Sequence, residues 1–127
     1  MTVALSHEAL VAYCLGKPGA WEDEPWEGDL VAKVHLRIFA FLGSPPAPGE
    51  SGTSVGLKCG PNREVADEWL LRYPGDAGVM PYIGRSGWNT LRVGSRIPDD
   101  EILEAVDTSY RLVVSKIAKR HRPEGWD

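Results

Sequence analysis

The sequence predicts an α+β domain: a five-stranded antiparallel sheet with helices on one face, in the order α, three strands, α, two strands, α. Three observations carry this expectation. Residues 30–59 hold three runs rich in β-branched and aromatic residues, and residues 78–93 hold two more. The segments before, between and after them keep apolar residues at helical spacing. Connections between neighbouring strands are short, which suits antiparallel pairing. Helices with single apolar faces then cover one side in a two-layer arrangement, and the other side is open to solvent or a partner.

Each element has its own signal. Ser6 can cap a first helix, with Glu8 in its first turn and Leu10, Val11, Cys14 and Leu15 forming an apolar stripe. Gly16 and Pro18 end it. The stretch "GAWEDEPWEGD" (19–29) keeps neither period and reads as an acidic loop, with room for a short strand at most. Leu30 to Leu36 and Arg37 to Gly43 alternate in polarity, and a tight turn at 35–37 would make them a hairpin. "SPPAPGESG" (44–52) cannot continue a ladder and reads as a hairpin loop.

Thr53 to Cys59 is the third strand. A helix then starts at Pro61 or Asn62, with Val65, Ala66, Trp69, Leu70 and Tyr73 on one face. Gly78 to Gly84 and Trp88 to Val93 are two more strands around the turn signal "GRSG". Pro98 opens the last helix, followed by Asp99, Asp100 and Glu101 at its positive end. Leu103, Val106, Tyr110, Val113 and Ile117 continue it, as one long helix or as two with a break near 107–109. The tail from about residue 121 is expected to fray.

The chain of 127 residues fits one domain over 1–127. No apolar run reaches the roughly 20 residues of a membrane helix, and the first ten residues do not resemble a signal peptide. Cys14 and Cys59 are the only cysteines, which suits two reduced thiols in a cytoplasmic protein. Cys14 falls on an apolar helix face and is expected in the core. Cys59 lies close to a helix start, which could lower its pKa, but no basic partner is evident in the sequence and a structural placement is the favoured reading.

Catalytic patterns are missing. "GRSGW" departs from a nucleophile elbow at its fifth position, where Trp88 replaces glycine. His7, His35 and His121 form no ligand spacing, so no metal is expected. No phosphate-cradling GxxxxGK[ST] occurs, and no cofactor is implied. Five carboxylates between residues 22 and 29 lack regular spacing and read as a solvated acidic stretch. The expectation is a protein that binds and does not catalyse.

Net charge is −4, against wholesale nucleic-acid binding, but residues 30–97 carry eight Lys or Arg and five acids. On the strand assignment Lys33, Lys58 and Arg92 point away from Val34, Leu57 and Leu91, onto the open face. With Arg37, Arg85 and Arg96 they make a candidate phosphate-binding set, sequence-blind and salt-dependent. A scatter of ordinary solubilising charges is the plainer account of the same residues. Trp21, Trp26 and Trp88 suit core packing, or a cleft for a small molecule. An exposed apolar patch would instead fit a partner protein.

Several segments taken together resemble the MmcQ/YjbR-like family of small bacterial proteins: "YCLGKPGAWEDEPW" from Tyr13, "VGLKCGPN" from Val55, "GWNTLRVGSRIPDDEILEAVDTSY" from Gly87, and "LVVSKIAKRHRP" after it. They span nearly the whole chain in order. The resemblance implies a secretion-chaperone-like α+β fold with a five-stranded antiparallel sheet. It also implies DNA binding through a double-wing arrangement of strands and loops. One departure stands out: many relatives carry His-x-Asn-Lys ahead of the Trp-Asn pair, where this chain reads "YIGRSGW", with Arg85 as the remaining cation.

Overall fold

Ser6 starts the first helix, its hydroxyl accepting from the Ala9 amide at 3.0 Å, and α1 runs His7–Leu15. The computed structural model describes residues 5–44 and 53–123. The strands are then β1 Ala20–Trp26, β2 Asp29–Val34, β3 Arg37–Gly43 and β4 Thr53–Lys58. After α2, Arg63–Arg72, come β5 Ala77–Val79, β6 Trp88–Val93 and α3, Asp99–Val114. Asn62 caps α2 through Glu64 N at 2.9 Å, and three acids fill the first turn of α3. The Pro-rich residues 45–52, expected as a hairpin loop, lie outside the described residues, as do 124–127.

The fold is α+β, but its open antiparallel sheet has six strands, in the order β1-β2-β3-β4-β6-β5, instead of the expected five. The added strand is β1, drawn from the stretch expected to be an acidic loop. Ala20, Trp21, Glu22 and Asp23 pair with Val34, Lys33, Ala32 and Val31. An edge strand wetted on both sides needs no alternation of polarity, so the pattern rule has nothing to detect. Its carboxylates and Pro25 also blunt the free edge against further pairing.

The segment expected as one strand over 78–84 is a strand only as far as Val79, and a 3₁₀ turn forms at Gly84–Ser86. Pro81 supplies no amide, and Tyr82 sits at φ 67, outside the strand region.

α3 is continuous through 107–109 because each polar residue there has a partner. Asp107 accepts from Tyr13 Oη at 2.8 Å and pairs with Lys17. The buried Ser109 hydroxyl donates to Phe39 O at 2.6 Å and accepts from Lys58 N at 2.9 Å. Ser109 thus stitches α3 across β3 and β4, where only two residue pairs join the strands. Leu10, Cys14, Ala32, Val34, Phe39, Leu57, Leu91, Ile102, Val106 and Val114 belong to one buried cluster. Near the chain's end, Arg122 donates to Ile117 O at 2.9 Å.

The Trp-Asn pair divides between the two sides of the sheet. Asn89 is fully buried toward α2 and donates to Ala66 O at 2.8 Å. Arg63, at the start of α2, donates to Gly84 O, Trp88 O and Asn89 Oδ1 at 2.8, 3.1 and 2.9 Å. One guanidinium therefore ties the helix to the 3₁₀ turn and to β6.

Candidate functional site

The face away from this core carries alternate strand residues. Lys33 lies opposite Trp21, Phe41 opposite Val31 and Gly56, Trp88 opposite Lys58, and Arg92 opposite Ser54. Phe41 and Trp88 meet edge to face, with centroids 5.5 Å apart. Met80 lies over Gly56 so closely that a Cβ there would sit 2.6 Å from its sulfur. Glycine at 56 lets this thioether reach the sheet. Phe41, Trp88 and Met80 form a low apolar ridge with a cavity on either side.

The first cavity, about 490 Å³, lies between the ends of β2, β3 and β4 and the last turn of α3. Lys33, Arg37, Lys58 and Lys116 line it beside Ile38 and Trp88, and no carboxylate among the described residues does. Lys33 reaches Asp23 at 2.7 Å and rides 5.1 Å above the Trp21 ring. That hydrogen bond holds the Asp23 carboxyl below its usual range. Lys58 donates to Ser86 O at 2.8 Å. Burial pushes the Lys58 ammonium below its ordinary range, and nearby Lys116 pushes the same way. Among the described residues, neither Arg37 nor Lys116 takes part in an ion pair. This end of the sheet can therefore accept an anion.

A neighbouring cavity of about 460 Å³ shares Leu36, Arg37 and Lys116 with the first. Its wall holds His35 and His121, stacked at 4.5 Å with 8° between their planes. Beyond the ridge lies the third, about 280 Å³, lined by Trp26, Leu30, Val31, Phe41 and Met80 with Asp29 among them.

Of the six cations singled out in the sequence, the fold gathers Lys33, Arg37 and Lys58 around one cavity. Arg85 is exposed on the 3₁₀ turn next to Ser86. Arg92 and Arg96 stand apart: Arg92 lies about 13 Å along β6 from Trp88, and the Arg96 amide approaches Asp76 at 3.4 Å. Lys116 was missed. At a helix C-terminus it reads as a charge that complements the dipole, and nothing local says that this end meets the β2–β3 hairpin.

The three tryptophans share no cleft. Trp21 and Trp26 sit on edge strand β1 and Trp88 on β6, four strand spacings or about 19 Å away. Trp88 lines the cationic cavity, Trp26 the apolar one, and Trp21 lies under Lys33.

Both thiols are buried, as the favoured reading has it, and the alternative of a lowered pKa at Cys59 does not hold. Cys59 is buried, and burial pushes its pKa up to about 12, outweighing the Asn89 hydrogen bond and the Arg63 charge that act to lower it. Cys14 is likewise pushed to about 12 by burial. The folded protein keeps protons that the unfolded chain releases above the ordinary value of 9.0. Stability is therefore expected to hold up to about pH 9 and to fall steadily as pH rises toward 12. Urea titrations of the wild type and of Cys14→Ala/Cys59→Ala check this, because the double variant should lose the part of the slope that sets in between about pH 9 and 10, below the range where Tyr13, Tyr73 and Tyr110, also raised, add to it.

Among the described residues no group of three His, Cys, Asp or Glu could hold a metal ion, and no helix is long and apolar enough to cross a membrane.

Known proteins share this architecture. A Deinococcus radiodurans protein superposes with a TM-score of 0.77 at 22% identity, covering 99% of this chain and 97% of its own. A Pseudomonas syringae protein gives 0.62 at 21% identity, covering 83% and 96%. At these identities the likeness speaks for the fold. In sequence, the chain is 29% identical over 115 residues to the uncharacterized Escherichia coli protein YjbR, covering 89% of this chain and 91% of that one. The model of the YjbR family matches residues 15–112, from the end of α1 through most of α3, and the chain belongs to that family.

Proposed function

We propose that this YjbR-family protein is a non-enzymatic binding protein that takes phosphate groups at the cationic end of its open sheet face, with the DNA backbone as its polymeric ligand. The observation that carries the reading is the convergence of Lys33, Arg37, Lys58 and Lys116 on one cavity that no carboxylate among the described residues lines. Like charges held this close raise the local potential and favour an anion that would neutralise them. Asp23, on the same face of β1 and ion-paired with Lys33, bounds the contact at the β1 edge. The footprint is then three or four phosphates, without base-edge readout.

Counterion release converts that footprint into a number. Binding to a mixed-sequence duplex should weaken with salt at a log–log slope of about −3. Lys58→Gln with Lys116→Gln should reduce the slope by about 2 and weaken all sequences alike. Fluorescence anisotropy across a salt series reads both quantities. No binding at low salt, or an undiminished slope in the double variant, removes the DNA reading.

A further inference from the structure

The cationic cavity and the apolar groove beyond the ridge abut on the same side of the sheet, and three strands each supply one residue to each of them. Val31 and Lys33 on β2, Gly56 and Lys58 on β4, and Thr90 and Trp88 on β6 are pairs two residues apart, the first of each lining the groove and the second the cavity. Residues i and i+2 of a strand point the same way about 7 Å apart. The two surfaces are therefore one step apart, with Phe41 and Met80 at the crossing.

We propose that this face binds a soluble, single-chain amphipathic anion. Its charged head sits among Lys33, Arg37, Lys58 and Lys116, and its apolar body crosses Phe41 and Met80 to lie against Val31, Leu30 and Trp26. The proposal rests on the anion reading of the cationic cavity and adds an apolar chain attached to that anion. Charge sets the direction. Asp29 lines the far groove, and Glu27 is exposed in the turn before it. A head placed at that end would be repelled, whereas the other end draws it in. The same carboxylates, beside the exposed Trp26, disfavour the surface of an anionic bilayer.

The test uses ethyl, butyl and octyl phosphate, with octanol as the uncharged control, all below micelle-forming concentrations. Calorimetry and tryptophan emission report binding to the full chain. Each methylene that leaves water should tighten binding up to about fourfold, so octyl phosphate should bind at least about tenfold tighter than ethyl phosphate. Octanol should bind far more weakly than octyl phosphate. Trp26→Ser and Met80→Ser, at sites that are not fully buried, should collapse the octyl-to-ethyl ratio and leave ethyl phosphate unchanged. Lys116→Gln, at an exposed position, should weaken both esters and keep the ratio.

Ethyl and octyl phosphate binding within a factor of about two would overturn the proposal and leave the anion reading standing. Failure of every phosphate to bind would end both. Retention on anionic vesicles without binding of monomeric octyl phosphate would overturn the proposal in favour of a membrane contact.

Discussion

Replacing Gly87 by Ala is expected to destabilise the protein by about 4 kcal/mol, a large fraction of the stability of a domain this size. Two costs coincide. Gly87 holds φ 95, where a side chain strains the backbone. Its Cβ would also overlap the Gly60 carbonyl and crowd Asn62 N, at the start of α2. These are backbone atoms and cannot swing aside as a side chain would. The close approach has a purpose, because the Cys59 amide donates to Gly87 O at 2.8 Å, extending the β4–β6 pairing past Trp88. Gly94 is the control: it has φ 77 with open space where a Cβ would go. Gly94→Ala should cost about 1 kcal/mol for conformation alone. Urea unfolding of the two variants separates crowding from backbone strain. Equal losses would show that the Gly60 contact carries no weight.

Asn89→Ala should cost about 3 kcal/mol. The side chain is wholly buried, and the substitution removes its bonds to Ala66 O and Arg63. It also leaves a void between α2 and β6. Arg63 would keep Asp67, at 2.7 Å, but lose the side-chain acceptor that aims it at Gly84 O and Trp88 O. Amide exchange should therefore speed up through α2 and residues 80–87 more than in β2. Arg92→Ala, at an exposed position three residues along the same strand, should change stability by about 0.5 kcal/mol or less. If the two variants unfold within about 1 kcal/mol of each other, the Asn89 network is not what joins α2 to the sheet.

The motif of largest sequence interest, "GRSGWN", thus has a structural explanation on one side and a functional candidate on the other. Asn89 and Gly87 hold the turn against α2. Trp88 points to the opposite face and forms the wall of the cationic cavity. That division is legible in the chain, because neighbours in a strand face opposite ways. So is the placement of Lys33 and Lys58 on the open side, which needs only the alternation around Val34 and Leu57.

Other features were not legible for definite reasons. β1 carries no alternation because neither face of that edge strand is fully covered. Ser109 looks like a weak point in α3 until the strand atoms that satisfy it are in place. Lys116 joins Lys58 across more than fifty residues of chain, and the sequence treats Arg92 and Lys58 as equivalent although the sheet separates them.

By itself the sequence determined the α+β class, the three helices, four of the strands with the start of a fifth, and the side of the sheet on which most cations lie. These come from the periodicity of neighbouring residues, which survives in a single chain read end to end. The tertiary structure alone decided that β1 completes the sheet, that α3 ends against the β2–β3 hairpin, and that a cationic and an apolar hollow adjoin. Those depend on which distant segments the crossover through α2 and the packing of α3 bring together, and no spacing along the chain encodes that distance.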